Sequence, residues 1–283
     1  MQKETDMAVT DLVISKRVET AGASSPTEKI AVEQPLEILV NGSPLITLMR
    51  SPGNDCELAV GLCLTENIVE SVRSIKSIKQ WGDQERRRAQ GEEFQEPGLE
   101  RSTIELEVEK PQGMERFTPT DVVKTGSGGA HLKLIAASGQ IARSIESDVK
   151  VDPGTVYGLG QELSSRQDVA RSTRGTHGAA IFSADGEMVV VREDIGRHNA
   201  LDKVVGFAAL HDIHLQDKLL AISGRISFEM ALKAIRAGFP FLISLKVPTS
   251  LGIKFGEDAG LTIIGRVQRD SFNIYSHGWR VKS

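Results

Sequence analysis

The sequence predicts an α/β fold in which helices cover both faces of a mixed, largely parallel sheet. In the second half of the chain, short and almost entirely apolar segments alternate with segments of helical periodicity. Apolar strands of this kind lie in parallel sheets that are buried on both sides. The predicted strands are 179–182, 188–192, 219–223, 241–247, 261–267 and 272–275, and the predicted helices are 154–165, 197–210, 226–237 and one that begins near 250.

The composition is that of an ordinary globular protein. Of the 283 residues, 40% are hydrophobic and 25% are charged, with 34 Lys and Arg against 38 Asp and Glu for a formal net charge of -4. General nucleic-acid binders carry a strong basic excess, so this balance argues against that class. No apolar run approaches the about 18 residues of a membrane helix, and residues 1–23 hold no signal-peptide core. We therefore expect a cytoplasmic protein with neither a nucleic-acid nor a membrane partner.

Changes in polarity along the chain predict three parts. Residues 1–30 are polar, with Gly, Ser and Pro clustered at 22–27, and are expected to form a flexible N-terminal arm. Residues 31–135 are expected to form a smaller α+β domain. Residues 136–283 carry the strand–helix alternation and are expected to form the larger α/β domain, because the length of the chain suits two domains as well as one.

The smaller domain is predicted from a hairpin, a helix and a further strand. Apolar runs in 35–49 flank Asn41-Gly42, which is the strongest two-residue hairpin signal. A helix is expected over 56–66, where the apolar positions fit one buried stripe. Alternation in 103–108 predicts a half-exposed strand. The charged segment 82–101 has almost nothing to bury, so we expect an exposed loop there.

Polar residues gather at three predicted strand-to-helix junctions, namely 192–199, 223–225 and 248–250. In an open α/β sheet the carboxyl ends of the strands meet at one edge, and ligands bind there. Each junction also opens a helix, whose free N–H groups and dipole favour phosphate. The junctions therefore predict a pocket for a phosphorylated, nucleotide-like ligand. Its candidate contacts are Arg197, His198, Asn199, Ser223, Arg225, Thr249 and Ser250.

The same residues also have structural interpretations. Asp194, Ser223 and Thr249 are residue types that cap helices. Asp202 lies one turn after His198, a spacing at which the two side chains can pair. Taken singly, each residue favours the structural role, and it is the coincidence of three junctions that favours a pocket.

For two further segments, a ligand-binding and a structural interpretation both remain open. His177 opens the first strand of the larger domain, and its small neighbours leave room for a ligand. A lone histidine is nevertheless most often an ordinary surface or core residue. The basic turn Arg266–Ser271 lies between two short strands, where its simplest interpretation is an exposed hairpin.

Common catalytic signatures are absent from the sequence. There is no G-x-x-x-x-G-K-[ST], no G-x-S-x-G and no H-E-x-x-H. The segment Thr125–Gly129 is glycine-rich but lacks the lysine of a phosphate loop. Cys56 and Cys63 form no disulfide framework, and their spacing with no histidine nearby favours small buried residues over a metal site.

Several motifs together resemble the FdhD family, the formate dehydrogenase accessory sulfurtransferases. The longest is Arg192–Lys203, which is similar to the hallmark segment of the family. The resemblance extends in order over roughly residues 35–280. The other matching segments are Ser51–Asp55 with Leu64–Glu66, Gly175–His177, Ser223–Arg225 with Phe228-Glu229, Pro248–Ser250, and Ala259–Thr262 through Asn273–His277.

The resemblance implies a fold, partner proteins and a bound cofactor. It implies a cytosolic homodimer whose larger domain has a cytidine-deaminase-like three-layer fold, although the deaminase zinc signature is missing. Family members receive persulfide sulfur from a cysteine desulfurase. They pass it to the bis-molybdopterin guanine dinucleotide form of the molybdenum cofactor before insertion into formate dehydrogenase. The resemblance makes GDP a surrogate ligand and implies cofactor contacts at Arg266, Val267, Gln268, Arg269, Asp270 and Ser271.

The chain departs from the family at the sulfur carrier. Family members usually carry a C-x-x-C motif on a loop, and the matching segment here, 123–130, contains no cysteine. Ser127 cannot replace it, since a persulfide needs a thiol sulfur. The first hypothesis keeps sulfur delivery, with Cys63 or a desulfurase thiol as relay. The second is a non-catalytic protein that holds the cofactor, and the third is a nucleotide-modifying enzyme.

Overall fold

Two β-sheets with separate hydrophobic cores organise the chain. The computed structural model describes residues 9–14, 17–19, 22–24, 26–82, 102–117, 122–123 and 144–282. The N-terminal and smaller-domain elements are β1 Thr10–Ile14, β2 Arg17–Glu19, β3 Gly22–Ser24, β4 Thr27–Ala31, β5 Gln34–Val40, β6 Ser43–Arg50, α1 Asp55–Thr65, β7 Ile75–Gly82, β8 Ser102–Val108 and β9 Val122–Val123.

The larger domain follows from residue 144. Its elements are α2 Pro153–Ser165, α3 Asp168–Thr173, β10 His177–Phe182, β11 Met188–Asp194, α4 Arg197–Leu210, β12 Leu219–Ile222, α5 Phe228–Ala237, β13 Phe241–Ser244, α6 Ser250–Ala259, β14 Thr262–Gly265 and β15 Asn273–Ile274. The predicted helices at 154–165, 197–210 and 226–237 are confirmed to within two residues, as is the start of α6 near 250. Most predicted strands are confirmed with shorter bounds.

The smaller sheet has the order β7-β8-β5-β6-β9. The predicted hairpin is confirmed, because β5 and β6 pair antiparallel around Asn41 and Gly42, whose φ values are 51° and 77°. Strand β8 lies between β7 and β5, so it is more buried than the half-exposed strand that alternation predicted. The expected loop at 82–101 lies, after Gly82, outside the described residues.

The N-terminal arm is more regular in its described part than expected. Strand β1 pairs with β4 from Thr10 opposite Ala31 to Ile14 opposite Thr27, and β2 pairs with β3. Strand β4 also lies against α3, where a Cβ at Gly175 would stand 3.1 Å from the Cβ of Ala31. Polar composition gave no signal for these short ribbons, whose strands pair through backbone hydrogen bonds.

The larger sheet has the order β11-β10-β12-β13-β14-β15, and it is mixed. Within the described residues only the pairs β12–β13 and β13–β14 are parallel, while the other three pairs are antiparallel. The expectation of a largely parallel sheet is therefore wrong. Strands β10 and β11 form a hairpin closed at Gly186, whose φ is 90°, and β15 returns antiparallel at the other side.

Helices cover both faces of this sheet, so the domain has three layers. On one face, α4, α5 and α6 pack through a core that includes Leu201, Met230 and Ala259. On the other face, α2 packs through Val156, Leu159 and Leu163. Because both faces are covered, every residue of β12, β13 and β14 is buried, as their apolar composition predicted, whereas the outer strands β11 and β15 are more exposed.

Helices α1 and α4 join the two domains at very close range. A Cβ at Gly61 would lie 1.8 Å from the backbone oxygen of Asp202, and one at Gly206 would lie 1.8 Å from that of Glu57. Only glycine permits such an approach. Within the described residues, no helix has both the length and the apolar character that crossing a bilayer requires.

Candidate functional site

The predicted junctions meet at one edge of the larger sheet. Strands β11, β12, β13 and β14 all end there, and β10 begins there, because His177 pairs with Asp194 and Ala179 pairs with Ile222. The expectation that the three strand-to-helix junctions share an edge is therefore confirmed, although the sheet is mixed. We call this edge, with the loops that follow β11–β14 and precede β10, the junction edge.

Neighbouring loops of the junction edge are in direct contact. A Cβ at Gly224 would lie 3.4 Å from the Cβ of Arg197 and 3.5 Å from Nδ1 of His177, so this glycine leaves room between the two side chains. Farther along the edge, the Thr249 N–H donates to the Ile226 carbonyl at 2.9 Å. These contacts link the start of α4, the start of β10 and the loops after β12 and β13 into one surface.

The junction edge is cationic. Six basic side chains lie on its loops or at the start of α4 and, within the part of the chain that the structure describes, form neither a hydrogen bond nor an ion pair. They are Arg174, Arg197, Arg225, Lys246, Arg266 and Arg269. Sequence reasoning missed Arg174 and Lys246, and their only signal was the position of a basic residue directly beside a strand end. The five strands span about 19 Å at the usual spacing of neighbouring strands.

The carboxylates nearest to this edge are already engaged. Asp194 forms an ion pair with Lys203 at 2.7 Å, and Glu229 lies 3.0 Å from Nε2 of His198. Glu193 accepts hydrogen bonds from backbone N–H groups of α3. On the loops of the edge Asp270 is the one carboxylate, so the basic side chains remain in clear excess and an anion is the natural ligand for this edge.

Two histidines flank Arg197. Burial lowers the pKa of His177, and the neighbouring Arg197 and His198 lower it further. Its ring makes no hydrogen bond to any described residue, so both ring nitrogens remain available to a ligand. Burial also lowers the pKa of His198, although its hydrogen bond to Glu229 acts in the opposite direction. Both shifts favour the neutral imidazole at neutral pH.

Asn199 lies beside Arg197 in sequence but is engaged elsewhere. Its amide nitrogen donates to the Met49 carbonyl at 3.0 Å and to Oδ1 of Asp194 at 2.9 Å. These bonds use both N–H groups of the side chain and hold β6 to the start of α4. The predicted ligand contact at Asn199 stays a prediction, and the contacts present are structural.

The alternative pairing of His198 with Asp202 is wrong. Asp202 instead accepts hydrogen bonds from Thr65 at 2.7 Å and from Lys233 at 2.8 Å. Both side chains face α5, where His198 pairs with Glu229 and Asp202 pairs with Lys233 one turn farther along each helix. The interdomain contact was not visible from spacing along one helix.

The capping interpretations have mixed outcomes. Thr249 is the N-cap of α6, and its hydroxyl accepts from the Gly252 N–H at 3.2 Å, so this interpretation is confirmed. Ser250 is the exposed first residue of that helix. Ser223 is not a cap, since its hydroxyl accepts from the Gly178 N–H at 2.9 Å and α5 is capped by Ser227.

The turn 266–271 lies at the end of β14 on the same edge. Arg266 has a φ of 53°, and its N–H donates to the Lys246 carbonyl at 3.0 Å. The Gln268 N–H donates to the Ser271 carbonyl at 2.8 Å and closes the turn. Arg266, Gln268, Arg269, Asp270 and Ser271 are exposed, whereas the side chain of Val267 is buried in the core beneath them.

Neither cysteine lies at the junction edge. Cys63 is fully buried under the smaller sheet, and burial followed by the nearby Asp202 raises its pKa to about 12. Cys56 lies next to Glu57, which contacts α4 at Gly206. Gly206 is nine residues from Arg197, about 14 Å along the helix. The segment 124–130, which the resemblance matches to the C-x-x-C loop, lies outside the described residues.

The fold and the junction edge define a three-layer α/β protein joined to a smaller α+β domain, with a cationic row at one sheet edge. The model of the FdhD/NarQ family matches residues 31–282, and the chain belongs to that family. This confirms the resemblance carried by the sequence motifs.

Curated relatives and a solved structure agree with the family. Sulfur carrier protein FdhD of Mycolicibacterium paratuberculosis is 39% identical over 277 residues, covering 93% of this chain and 95% of the relative. The protein of that name from Sulfolobus acidocaldarius is 34% identical over 277 residues, covering 97% and 99%. A crystal structure described as that of a formate dehydrogenase accessory protein from Desulfotalea psychrophila covers 97% of this chain and 100% of its own, with a TM-score of 0.73 and 19% identity. It supports the fold.

Proposed function

We propose that this protein binds the bis-molybdopterin guanine dinucleotide form of the molybdenum cofactor at the junction edge and supports its sulfuration and delivery to formate dehydrogenase. The observation that carries the proposal is the row of six basic side chains without partners among the described residues. Each guanine dinucleotide half carries a diphosphate, whose charge these side chains suit. Unpaired guanidinium groups bind phosphate oxygens in bidentate fashion.

The helix starts along the edge add to this attraction. Helices α4, α5 and α6 all begin there, so their free N–H groups and positive dipole ends favour an anion. The edge is about 19 Å long at the usual strand spacing, which suits an extended dinucleotide better than a single phosphate. Available neutral nitrogens on His177 supply polar contacts that require no charge.

The wider proposal follows the family. Relatives are named sulfur carrier proteins, and a structural neighbour is described as a formate dehydrogenase accessory protein. We propose formate dehydrogenase as the recipient, a cysteine desulfurase as the sulfur source, a cytoplasmic location and a homodimer. The deaminase-like arrangement of the larger domain belongs to the same proposal and is supported by helices on both faces of the mixed sheet.

Sulfur is proposed to reach the cofactor on a thiol of another protein. A sulfur carrier acts as a thiolate, and the pKa of about 12 at the fully buried Cys63 opposes that form. Cys56 lies beside the far part of α4, next to Gln80. This arrangement favours the hypothesis of a protein that holds the cofactor over one that carries sulfur on its own cysteine.

Calorimetric titration of the full chain with GDP tests the proposal. We expect binding that weakens with added salt, and about a tenfold loss of affinity in Arg197→Ala and in Arg225→Ala, since each removes a charge-assisted contact. Arg73→Ala is the matched control, because Arg73 is an exposed arginine that lies directly before β7 of the smaller sheet. No GDP binding, or equal losses in all three variants, would contradict the proposal.

A second measurement tests whether a cysteine of this chain carries the sulfur. Purified cysteine desulfurase with its substrate is mixed with the wild type and with Cys56→Ala and Cys63→Ala, and protein-bound persulfide is measured by mass spectrometry. We expect no persulfide on either cysteine and unchanged GDP binding in Cys56→Ala. Persulfide on Cys56 or Cys63 would instead favour sulfur carriage by this chain. Stoichiometric zinc in the purified protein would favour the nucleotide-modifying enzyme.

A further inference from the structure

Glu193 makes three hydrogen bonds to which the proposed function assigns no role. Its Oε1 accepts from the Val169 N–H at 2.9 Å, and its Oε2 accepts from the Ala170 N–H at 2.8 Å and from the Thr176 hydroxyl at 2.8 Å. One carboxylate at the end of β11 thus reaches both the first turn of α3 and the residue that precedes His177.

The segment that Glu193 holds packs against β4 and begins with a short helix that its own N-cap residue does not cap. Helix α3 has only six residues, and its N-cap residue Gln167 makes no capping hydrogen bond with its side chain. The helix ends at Arg174 with a φ of 57°, and the chain then runs through Gly175 and Thr176 to β10. A carboxylate that accepts from two N–H groups of a first helical turn supplies the missing cap.

The neighbouring Asp194 holds backbone N–H groups in the same way on the opposite face of the sheet. It accepts from the Ser51 N–H at 3.1 Å and from the Gly196 N–H at 2.9 Å, and it pairs with Lys203. Successive residues of a strand point to opposite faces, so two adjacent carboxylates at the end of β11 serve opposite sides of the sheet. Asp194 fixes the start of α4, which carries Arg197, and Glu193 fixes the loop that carries Arg174 and His177.

We propose that Glu193 is a positioning residue for ligand binding at the junction edge, which it serves by holding the loop 174–177 so that His177 stands beside Arg197. This inference rests on the proposed function for its ligand. The geometry of the loop itself is independent of any ligand. Glu193 touches no part of the ligand site directly, because all its carboxylate contacts are to α3 and Thr176.

Glu193→Gln tests the proposal. The amide keeps one oxygen but turns an NH₂ group toward backbone N–H donors, so at least one of the three hydrogen bonds is lost. Two quantities are measured, namely the affinity for GDP by calorimetry and the pKa of His177 by NMR titration of its ring without ligand. The groups that face His177 are Arg197, His198 and Asp194, and burial holds its pKa down.

With the loop released, we expect His177 to become more exposed and its pKa to rise toward the ordinary value. We expect GDP affinity to fall about tenfold, the size of one lost charge-assisted contact. The matched control is Glu187→Gln, which makes the same change at an exposed residue on the far end of the β10–β11 hairpin. In the control, neither the GDP affinity nor the pKa of His177 should change.

The outcomes separate this inference from the function on which it rests. An unchanged pKa of His177 in Glu193→Gln would overturn the positioning role, whatever the wild type binds. A raised pKa together with no GDP binding by the wild type would support the positioning of His177 and overturn the proposed function. If Glu193→Gln does not fold, Thr176→Val removes a single bond to the same carboxylate, and it should move both quantities in the same directions by less.

Discussion

The two polar regions of this molecule use charge in opposite ways. At the boundary between the domains, Lys233 lies between Asp202 at 2.8 Å and Glu66 at 2.9 Å, and all three side chains are buried. At the junction edge, basic side chains such as Arg197 and Arg225 are more exposed and pair with no described residue. In the first region opposite charges pair and stabilise the structure, and in the second the basic side chains have no partner among the described residues.

This contrast separates structural from functional residues within a single motif. Segment 192–203 supplies Asp194, Asp202 and Lys203 to buried pairs, and it also supplies Arg197 to the junction edge. A family hallmark is therefore no guide to ligand contact by itself. The distinction depends on whether the partner of each charge lies inside the protein.

The largest expected effect comes from breaking the buried network. Burial alone would lower the pKa of Lys233, but Asp202 and Glu66 raise it above its usual value, so the ammonium form is bound firmly. Lys233→Met leaves the buried Asp202 without an opposite charge and Glu66 with Arg236 alone at 3.5 Å, so it should lower the free energy of unfolding by about 3–5 kcal/mol. Urea denaturation measures this.

The control for that prediction is Lys76→Met. Lys76 forms an ion pair with Glu109 at 3.1 Å, and both side chains are more than half exposed. An exposed pair contributes about 0–1 kcal/mol, so the control should change stability little. Equal losses in the two variants would show that the boundary network is no more structural than a surface pair.

The second expected effect concerns the close contact that the network surrounds. Gly206→Ala places a Cβ 1.8 Å from the Glu57 carbonyl oxygen, which must force α1 and α4 apart. We expect a loss of about 3 kcal/mol or more, at the upper end of overpacking effects. Gly158→Ala is the matched control on α2, where a Cβ meets nothing within 4 Å. It should be neutral or stabilising by up to about 1 kcal/mol, because alanine favours helix.

Local chemistry made much of the fold predictable. The apolar strands, the Asn41-Gly42 turn and the helix at 197–210 each follow from patterns within about 15 residues. The shared edge also followed, because a strand followed by a helix and another strand returns to the same side of a sheet. The predicted strand direction in the larger sheet was wrong, because strand–helix alternation indicates parallel pairs and gives no signal for the antiparallel pairs that β10 forms with β11 and β12 and that β15 forms with β14.

The sequence predicted the location of the candidate site better than it predicted which residues belong to it. Arg197, Arg225 and Arg266 lie on the expected edge, but Val267 turns into the core and the amide N–H groups of Asn199 bind β6 and Asp194. The positions of the Val267 and Asn199 side chains depend on the packing of α2 and on the smaller domain. The sequence of a single junction shows neither. The bonds of Glu193 to α3 were invisible for the same reason, because α3 itself carried no sequence signal.

The smallest expected effect tests the junction edge by pH. The pKa of His177 lies below its ordinary value in the free protein, because burial and Arg197 oppose the charged ring. A bound diphosphate would favour that charge and raise the pKa, so binding takes up a proton. Affinity for GDP should therefore rise as the pH falls through the interval between the bound and free pKa values.

His177→Gln keeps polar contacts at the same position but cannot gain the charge. GDP itself titrates near pH 6, so the informative quantity is the ratio of wild-type to variant affinity at each pH. We expect that ratio to grow about two- to fivefold from about pH 7.5 to about pH 6 in calorimetric titrations. A constant ratio would mean that His177 stays neutral beside the bound anion, and the charge available at the edge would then come from its arginines and lysine alone.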